Sequence, residues 1–154
     1  MKAQKLSDQS NNWDVLIIGG GPAGTATAIE LARGGWSVLL LEKQTTVSYK
    51  LGESLAPVAV GLLRRYFGSI DTLLESGVAS KTLGNVSSWD SLEAQTGDFF
   101  FTPTGYGLCL NRAKFDALLR DKAKELGVTV LSGAQFKTCY KTEVGGSFRW
   151  KVDY

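Results

Sequence analysis

The sequence predicts an α/β fold built around a parallel sheet. Residues 13–18 form a short, apolar, β-branched run that suits the middle of a parallel sheet, where a strand is buried on both faces, and residues 38–41 form a second buried strand. A helical segment separates them, and the same order of strand, helix and strand returns between residues 107 and 131. Parallel neighbours need a crossover connection, which a helix usually supplies, so this repeated order indicates a parallel sheet.

The turn after the first strand carries glycines at a specific spacing. Gly19, Gly21 and Gly24 follow the pattern G-x-G-x-x-G. Gly19 permits a tight turn out of the strand, Gly21 lets the backbone approach a pyrophosphate closely, and Gly24 lets the next helix pack against the strand. Pro22 suits the first turn of that helix, and the free N–H groups there, including that of Ala23, indicate phosphate binding.

The second strand ends at an acidic residue, Glu42, which lies 23 residues after Gly19 in the sequence. A carboxylate at this distance can accept hydrogen bonds from ribose hydroxyls, and it disfavours a ribose that carries a 2′-phosphate. We therefore predict a site for an ADP-containing cofactor, FAD or NAD rather than NADP, with Lys43 as a further contact. The alternative is a strand, turn and helix without a ligand, which the acid and the flanking elements make the weaker interpretation.

Composition and charge limit the other partners. A hydrophobic content of 44% with 21% charged residues is typical of a globular domain, and a net charge of +2 without basic runs gives no reason to expect nucleic acid. Histidine is absent, so no metal site is predicted, and no apolar run reaches the roughly 18 residues that a membrane span needs. Cys109 and Cys139 lack a C-x-x-C arrangement and are expected to be reduced, buried thiols. The polar start also lacks the apolar core of a signal peptide, which favours a cytoplasmic protein.

The remaining elements follow from apolar spacing and from the residues that cap or end helices and turns. A polar loop at 43–49 leads to a helix over 55–67, which Gly68 ends and whose apolar stripe is Leu62, Leu63, Tyr66 and Phe67. The further predictions are a helix over 70–75, strands at 86–89, 98–102 and 107–110, a helix over 112–126 capped by Asn111, a strand at 128–131, and a hairpin of 136–143 and 148–154 around Gly145-Gly146.

Three segments of the chain resemble one family. They are the run at 15–42, the segment KLGESLAP at 50–57 and the segment LNRAKFDALLRDKAKELGVTVLSG at 110–133. Together they resemble the FAD-dependent monooxygenases and flavin-dependent halogenases of the glutathione-reductase-like fold. The resemblance implies a Rossmann-like FAD-binding fold of three layers, with a parallel central sheet and a β-hairpin or meander, and FAD as the cofactor.

The resemblance also implies roles for residues beyond the glycine turn. Gly52, Glu53 and Ser54 match a segment that lies close to the flavin ring in this family. Arg112 matches an arginine that contacts the phosphate and ribose region, and a guanidinium fits a pyrophosphate well. The alternatives are a solvent-facing Arg112 at a helix start and a Glu53 that only favours the helix dipole.

Within the family, the stretches at 84–91 and 98–116 most resemble flavoproteins that hydroxylate a peptidyl tryptophan during the maturation of a quinone cofactor. This resemblance implies an FAD-dependent monooxygenase that transfers oxygen to an aromatic carbon through a C4a-hydroperoxyflavin. The substrate would be an aromatic small molecule or a tryptophan in a partner protein. The resemblance assigns no catalytic side chain.

Two other interpretations of the function stay open. A halogenase depends on a lysine in a K-x-G setting, and the run Lys81-Thr82-Leu83-Gly84 is one residue too long, so a surface lysine is favoured. Trp89 is expected in the core, with a place beside the substrate as its alternative. The second open interpretation of the function is that the protein is a non-catalytic fragment that binds FAD or ADP.

The predicted organisation has two parts. Residues 1–12 form a disordered polar tail, and residues 13–154 form the N-terminal part of an FAD-binding domain, in which inserted substrate-side strands begin at about 85–110. The chain stops within the second strand of the predicted hairpin, without a stop signal. This end predicts a fold that is incomplete at its C-terminus.

Overall fold

A computed structural model gives the structure of the protein and describes residues 12–45, 50–89 and 93–154. The chain divides into two compact units: unit 1 comprises Met1–Thr45 and Leu119–Tyr154, and unit 2 comprises Thr46–Leu118. The predicted tail at 1–12, apart from its last residue, lies outside the described residues. So do 46–49 of the predicted polar loop and the last two residues of the stretch at 84–91.

The described elements are short strands and four helices. In chain order they are β1 (Val15–Ile18), α1 (Pro22–Arg33), β2 (Val38–Glu42), β3 (Ser54–Leu55), α2 (Pro57–Phe67), α3 (Asp71–Glu75), β4 (Ala79–Thr82), β5 (Gly84–Ser87), β6 (Gln95–Asp98), β7 (Gly107–Leu110), α4 (Arg112–Glu125), β8 (Thr129–Ser132), β9 (Thr138–Val144) and β10 (Ser147–Asp153).

A three-stranded parallel sheet forms the centre of unit 1. Its strands follow the order β1, β2, β8, so the predicted parallel α/β arrangement is confirmed. All five residues of β2 are buried, and α1 packs against this strand. The expectation that the first strand is central is wrong. β2 takes the central place, while β1 lies at an edge of the described sheet and its Ile18 is 57% exposed.

The last two strands of unit 1 form the predicted antiparallel hairpin. Val144 lies opposite Ser147 next to the turn, and Thr138 lies opposite Asp153 at the open end. Gly145 and Gly146 both have positive φ, +59° and +78°, as a two-residue type I′ turn requires.

A three-stranded antiparallel sheet in unit 2 follows the order β3, β7, β4. α2 packs against β7, and the buried residues of α2 are Pro57, Val60 and Leu63. The predicted stripe of α2 is therefore wrong at Leu62, which is 60% exposed. Two residues correspond to about 200° of helical rotation, so Leu62 lies on the opposite side from Val60.

The sequence predicts the strands of unit 2 only in part. β7 matches its prediction, β5 and β6 pair with each other, and β4 is not predicted at all because three of its four residues are polar. The strand expected at 98–102 is wrong beyond Asp98, since the Thr102 N–H donates to the Phe99 carbonyl and closes a turn. Trp89, expected in the core, is 77% exposed.

Both cysteines are free and exposed, which corrects the expectation of buried thiols. Cys109 lies on β7 between Leu108 and Leu110, which are buried. Because successive side chains of a strand point to opposite faces, Cys109 points away from the core.

Helix α4 starts at the cap that the sequence predicts. The Asn111 side-chain oxygen accepts a hydrogen bond from the Lys114 N–H at 3.1 Å. Phe115 and Leu119, which lie one helical turn apart, are buried. Over the three described ranges, no helix has the length and apolar character needed to cross a membrane.

Candidate functional site

The turn between β1 and α1 has the geometry that its glycines predict. Gly19 has φ +105°, and its N–H donates to the Leu41 carbonyl at 2.8 Å. A Cβ added at Gly24 would collide with the Gly19 carbonyl oxygen, whereas one added at Gly21 would meet no atom within 4 Å. Gly24 therefore allows close packing of the helix, and Gly21 faces open space that a ligand can enter.

The start of α1 offers unused N–H groups beside this open space. Pro22 occupies the first turn, and the first bond within the helix runs from the Thr25 N–H to the Gly21 carbonyl at 2.9 Å. In the described part of the chain, no side chain caps this end, and the first turn carries no acidic residue. The N–H groups of Ala23 and Gly24 precede the first helical bond, so this end of α1 can bind an anion.

Glu42 lies beside the glycine turn with its carboxylate largely shielded from water; the residue is 6% exposed. Its Oε2 accepts the Gly20 N–H at 2.9 Å, and its Oε1 accepts the Gln44 N–H at 2.9 Å. An ionised carboxylate has about four acceptor positions, so both oxygens can still accept a hydroxyl hydrogen. Lys43, the neighbour of Glu42, is exposed.

Arg120 contacts this turn and is not among the residues that the sequence predicts for the site. It lies on α4, and its Nη1 donates to the Gly20 carbonyl at 2.9 Å. No pattern in the sequence indicates this contact, because 100 positions separate the two residues.

Arg112 organises a second candidate region, which lies within unit 2. Its Nε and Nη2 donate to the two carboxylate oxygens of Asp116 at 3.0 and 3.3 Å. Its Nη1 donates to the carbonyls of Leu51 and Gly52 at 2.8 and 3.1 Å. Lys50 adds a second cation, since its Nζ lies 3.0 Å from Asp116 Oδ2. Arg112 is therefore bound to the segment that contains Gly52 and does not simply face solvent.

The side chains of Arg112, Lys50 and Asp116 form a cluster with a net positive charge. Two cations surround one carboxylate, that of Asp116, whose residue is 1% exposed. The contacts described above use four of the five N–H groups of Arg112, and within residues 12–45, 50–89 and 93–154 the remaining N–H at Nη2 has no acceptor. A net positive cluster with a spare donor fits a negatively charged group such as a phosphate.

Two of the predicted flavin-side residues, Glu53 and Ser54, contact β7, a strand of the antiparallel sheet in unit 2. Ser54 pairs with Cys109 between β3 and β7, and the Glu53 carbonyl accepts the Leu110 N–H at 2.8 Å. Gly52 has φ +91°, and a Cβ there would lie 2.9 Å from Arg112 Nη1. The structure thus brings Gly52, Glu53 and Ser54 to the start of α4, where Arg112 lies.

Lys81, the candidate halogenase lysine, lies on β4. It is exposed, and its Nζ lies 4.5 Å from the centre of the Tyr106 ring, within the range of a cation–π contact.

Residues 14–151 match one protein family, described as FAD dependent oxidoreductase. The chain belongs to this family. This FAD-dependent oxidoreductase is 37% identical over 123 residues to a flavin-dependent halogenase of Armillaria mellea, and the match covers 79% of the chain and 24% of that protein. It is 34% identical over 122 residues to the 1H-pyrrole-2-carbonyl-[peptidyl-carrier protein] brominase of Pseudoalteromonas luteoviolacea, covering 79% of the chain and 29% of the brominase.

The FAD-dependent oxidoreductase also has the fold of a solved halogenase. It superposes on the FAD-dependent chondrochloren halogenase of a myxobacterium with a TM-score of 0.70 and 25% identity, over 90% of this chain and 35% of that one. The mixed α/β fold with a parallel sheet and the cofactor FAD are therefore those of the family. The chain spans less than a third of the length of either curated relative. Because these relatives are halogenases, the nearer likeness to tryptophan hydroxylases stays a prediction.

Proposed function

We propose that unit 1 holds the ADP half of FAD at the turn between β1 and α1. The observation that carries this proposal is the uncapped start of α1, which borders open space at Gly21 and lies next to the buried carboxylate of Glu42. The helix start would receive the pyrophosphate, and Glu42 would accept ribose hydroxyls. The proposed contacts come from Gly19, Gly21, Pro22, Ala23, Gly24, Glu42 and Lys43.

Unit 2 supplies the second set of proposed FAD contacts. We assign Arg112 to a phosphate or ribose oxygen, because its cluster carries a net positive charge and one of its N–H groups has no acceptor among the residues that the structure describes. Gly52, Glu53 and Ser54 are assigned to the flavin side on the resemblance. The organisation proposed for the protein stays that of residues 13–154 as the N-terminal part of an FAD-binding domain, with the substrate-side strands beginning near β5.

The activity that we propose is halogenation of an aromatic substrate by an enzyme of which this chain is the FAD-binding part. Both curated relatives described above are named as halogenating enzymes, and the substrate of one is a pyrrole ring attached to a carrier protein. Reduced FAD, when bound, supplies with oxygen the oxidising power for attack on an aromatic ring. The residues of this chain bind and orient the cofactor, and none is assigned as an acid or base.

Hydroxylation of an aromatic ring is the second candidate activity, and Lys81 favours it. The spacing Lys81-Thr82-Leu83-Gly84 departs from the K-x-G setting on which halogenases depend. The Lys81 ammonium also lies over the ring of Tyr106, the residue before β7, which gives this cation a partner. A peptidyl tryptophan or a small aromatic molecule remains the proposed substrate for this activity.

A titration with flavins and nucleotides tests the proposed cofactor site. The chain is titrated with FAD, with FMN and with ADP, while flavin fluorescence and heat of binding are recorded. We expect FAD to bind, ADP to compete with it, and FMN to bind much more weakly, since FMN lacks the adenosine phosphate half. Equal binding of FMN and FAD, or no binding of FAD, would remove the basis of the proposal.

A turnover assay separates the activities. The protein is supplied with FAD, NADH, a flavin reductase, oxygen and chloride or bromide, together with tryptophan, a tryptophan-containing peptide or a pyrrole-2-carbonyl thioester. Mass spectrometry should detect a product with halogen in place of hydrogen. A product that gains oxygen regardless of halide indicates hydroxylation instead. Bound FAD without either product supports a non-catalytic binding fragment.

A further inference from the structure

Gly20, the middle glycine of the turn, is held by two side chains of opposite charge. Glu42 Oε2 accepts its N–H and Arg120 Nη1 donates to its carbonyl, each at 2.9 Å. These two groups belong to consecutive peptide units, so both peptide planes that meet at Gly20 are fixed.

The side chains also pack closely against the backbone of Gly20. A Cβ added at Gly20 would lie 3.0 Å from Arg120 Cδ, 3.0 Å from Glu42 Cβ and 3.1 Å from Glu42 Oε2. Gly20 is buried, and no larger residue fits without displacing one of these two side chains. The aliphatic stem of Arg120 therefore covers the turn, while its guanidinium bonds to it.

The orientation of the next N–H follows from the planarity of the peptide unit. The Gly20 carbonyl and the Gly21 N–H share one trans peptide, in which these two groups point in opposite directions. Because Arg120 binds the carbonyl, the Gly21 N–H points away from Arg120. A cationic partner on the carbonyl also polarises the peptide unit, which makes the N–H a stronger donor.

We propose that Arg120 is a positioning residue of the cofactor site, and this inference rests on the proposed binding of FAD by unit 1. By holding the Gly20 carbonyl, Arg120 keeps the Gly21 N–H on the opposite side of this peptide unit. Gly21 is also a residue at which an added Cβ would meet no atom within 4 Å, so a ligand has room to approach its backbone. Arg120 thereby prepares the donor that meets a diphosphate, without touching the diphosphate itself.

The test compares three variants of the full chain. Arg120→Met keeps the stem and removes the donor, Arg120→Lys keeps a cationic donor, and Lys124→Met removes a cation from the same helix whose partner, Asp121, is exposed. Affinities for FAD and for ADP are measured by titration calorimetry, and stability is measured by urea unfolding without ligand. Loss of a hydrogen bond to a charged group predicts that Arg120→Met weakens both ligands by about tenfold to a hundredfold.

The variants separate a positioning role from a purely structural one. Arg120→Lys should recover most of the affinity, and Lys124→Met should leave it unchanged. Folded Arg120→Met with the affinity of the wild type would overturn the inference while leaving the FAD site intact. If Arg120→Met does not fold, the Arg120→Lys variant decides the question. Affinity of Arg120→Lys for FAD close to that of the wild type supports the donor role. An affinity lower by about tenfold or more overturns the inference. Failure of the wild type to bind FAD and ADP would overturn the proposed function and this inference together.

Discussion

Gly24, the third glycine of the G-x-G-x-x-G pattern, packs directly against the turn. Its Cα faces the Gly19 carbonyl so closely that a methyl group has no room. Gly61 in α2 provides a matched comparison, since a Cβ there meets no atom within 4 Å. The same chemical change is therefore expected to have opposite effects at two helical glycines.

We predict that Gly24→Ala lowers the free energy of unfolding by about 1–3 kcal/mol, the usual cost of overpacking. Gly61→Ala should raise it by about 0.5–1 kcal/mol, because alanine loses less backbone entropy in a helix. Urea unfolding of both variants gives the two values. A Gly24→Ala variant as stable as the wild type would contradict the close approach of α1 to the turn.

Glu42 has two roles at once, since it holds the backbone of the turn and is the proposed acceptor for the ribose. Glu42→Ala should weaken FAD binding by about 1–3 kcal/mol, the scale of a lost buried, charged hydrogen-bond partner. Glu125→Ala, which removes an exposed carboxylate from α4, serves as the control. Unchanged FAD affinity of Glu42→Ala in calorimetry would mean that other residues hold the ribose.

At the scale of elements, the ion cluster at the start of α4 connects the segment around Gly52 to the helix. Asp116 is buried and bonded to both Arg112 and Lys50. Asp116→Ala leaves two cations without their shared carboxylate, so we expect the free energy of unfolding to fall by about 3 kcal/mol. The cations keep some contact with water, which places this value at the low end for buried pairs.

Asp121→Ala on the same helix is the control for Asp116→Ala. Its ion pair with Lys124 is exposed, and exposed pairs contribute less than about 1 kcal/mol. Equal losses in the two variants, measured by urea unfolding, would show that the Asp116 cluster is no stronger than a surface pair.

Asp14, the residue before β1, is hydrogen-bonded to Ser37, the residue before β2. The Ser37 hydroxyl and the Ser37 N–H both donate to Asp14 Oδ2, at 2.6 and 2.8 Å, and hold the pKa of Asp14 below its ordinary value. A carboxyl group with a lowered pKa stabilises the fold above the pKa of the unfolded chain, about 3.9, and this contribution is lost as the pH falls through the folded value.

The Asp14 carboxyl can be followed through this range by NMR titration. It should titrate below the ordinary aspartate value in the wild type and move upward in Ser37→Ala, because the hydroxyl is the larger cause of the shift. Asp71→Asn, far along the sequence in α3, should leave the Asp14 titration unchanged. An Asp14 pKa that does not respond to Ser37→Ala would rule out this coupling.

Elements with local signals were predictable from the sequence, whereas those that depend on pairing were not. α4 has a cap at Asn111 and apolar residues at helical spacing, so its start was predictable. β4 carries polar residues and forms only because β7 lies beside it. The aromatic run after Asp98 favours a strand, but Phe100 and Phe101 are exposed within a turn and have no strand partner among the described residues.

The candidate site follows the same division. The relation between the glycine turn and Glu42 is predictable, because strand, helix and strand lie within 28 consecutive residues, 15–42. The contact of Arg120 with Gly20 depends on where a distant helix packs, and no spacing rule contains this information. Only the resemblance indicates Arg112, and its bonds to the Leu51 and Gly52 carbonyls follow from no local pattern, because about 60 positions separate these residues in the sequence.

At the scale of the whole molecule, the chain carries cofactor-binding features in each unit separately. Unit 1 contains the glycine turn with Glu42 and Arg120, and unit 2 contains the Arg112 cluster with Gly52. The family match covers both units, from residue 14 to residue 151. Binding of FAD and turnover of an aromatic substrate are therefore separate experimental questions for this protein.

The central position of β2 has a consequence for motion on slow timescales. Its backbone amides are bonded within a sheet that has a strand on each side, and all its side chains are buried. Exchange with solvent deuterons then requires large-scale opening, so β2 should be among the slowest segments, while the mostly exposed β9–β10 hairpin should exchange early. Glu42 is the last residue of β2, and a carboxylate anchored to such a persistent segment presents its oxygens in one orientation before any cofactor arrives.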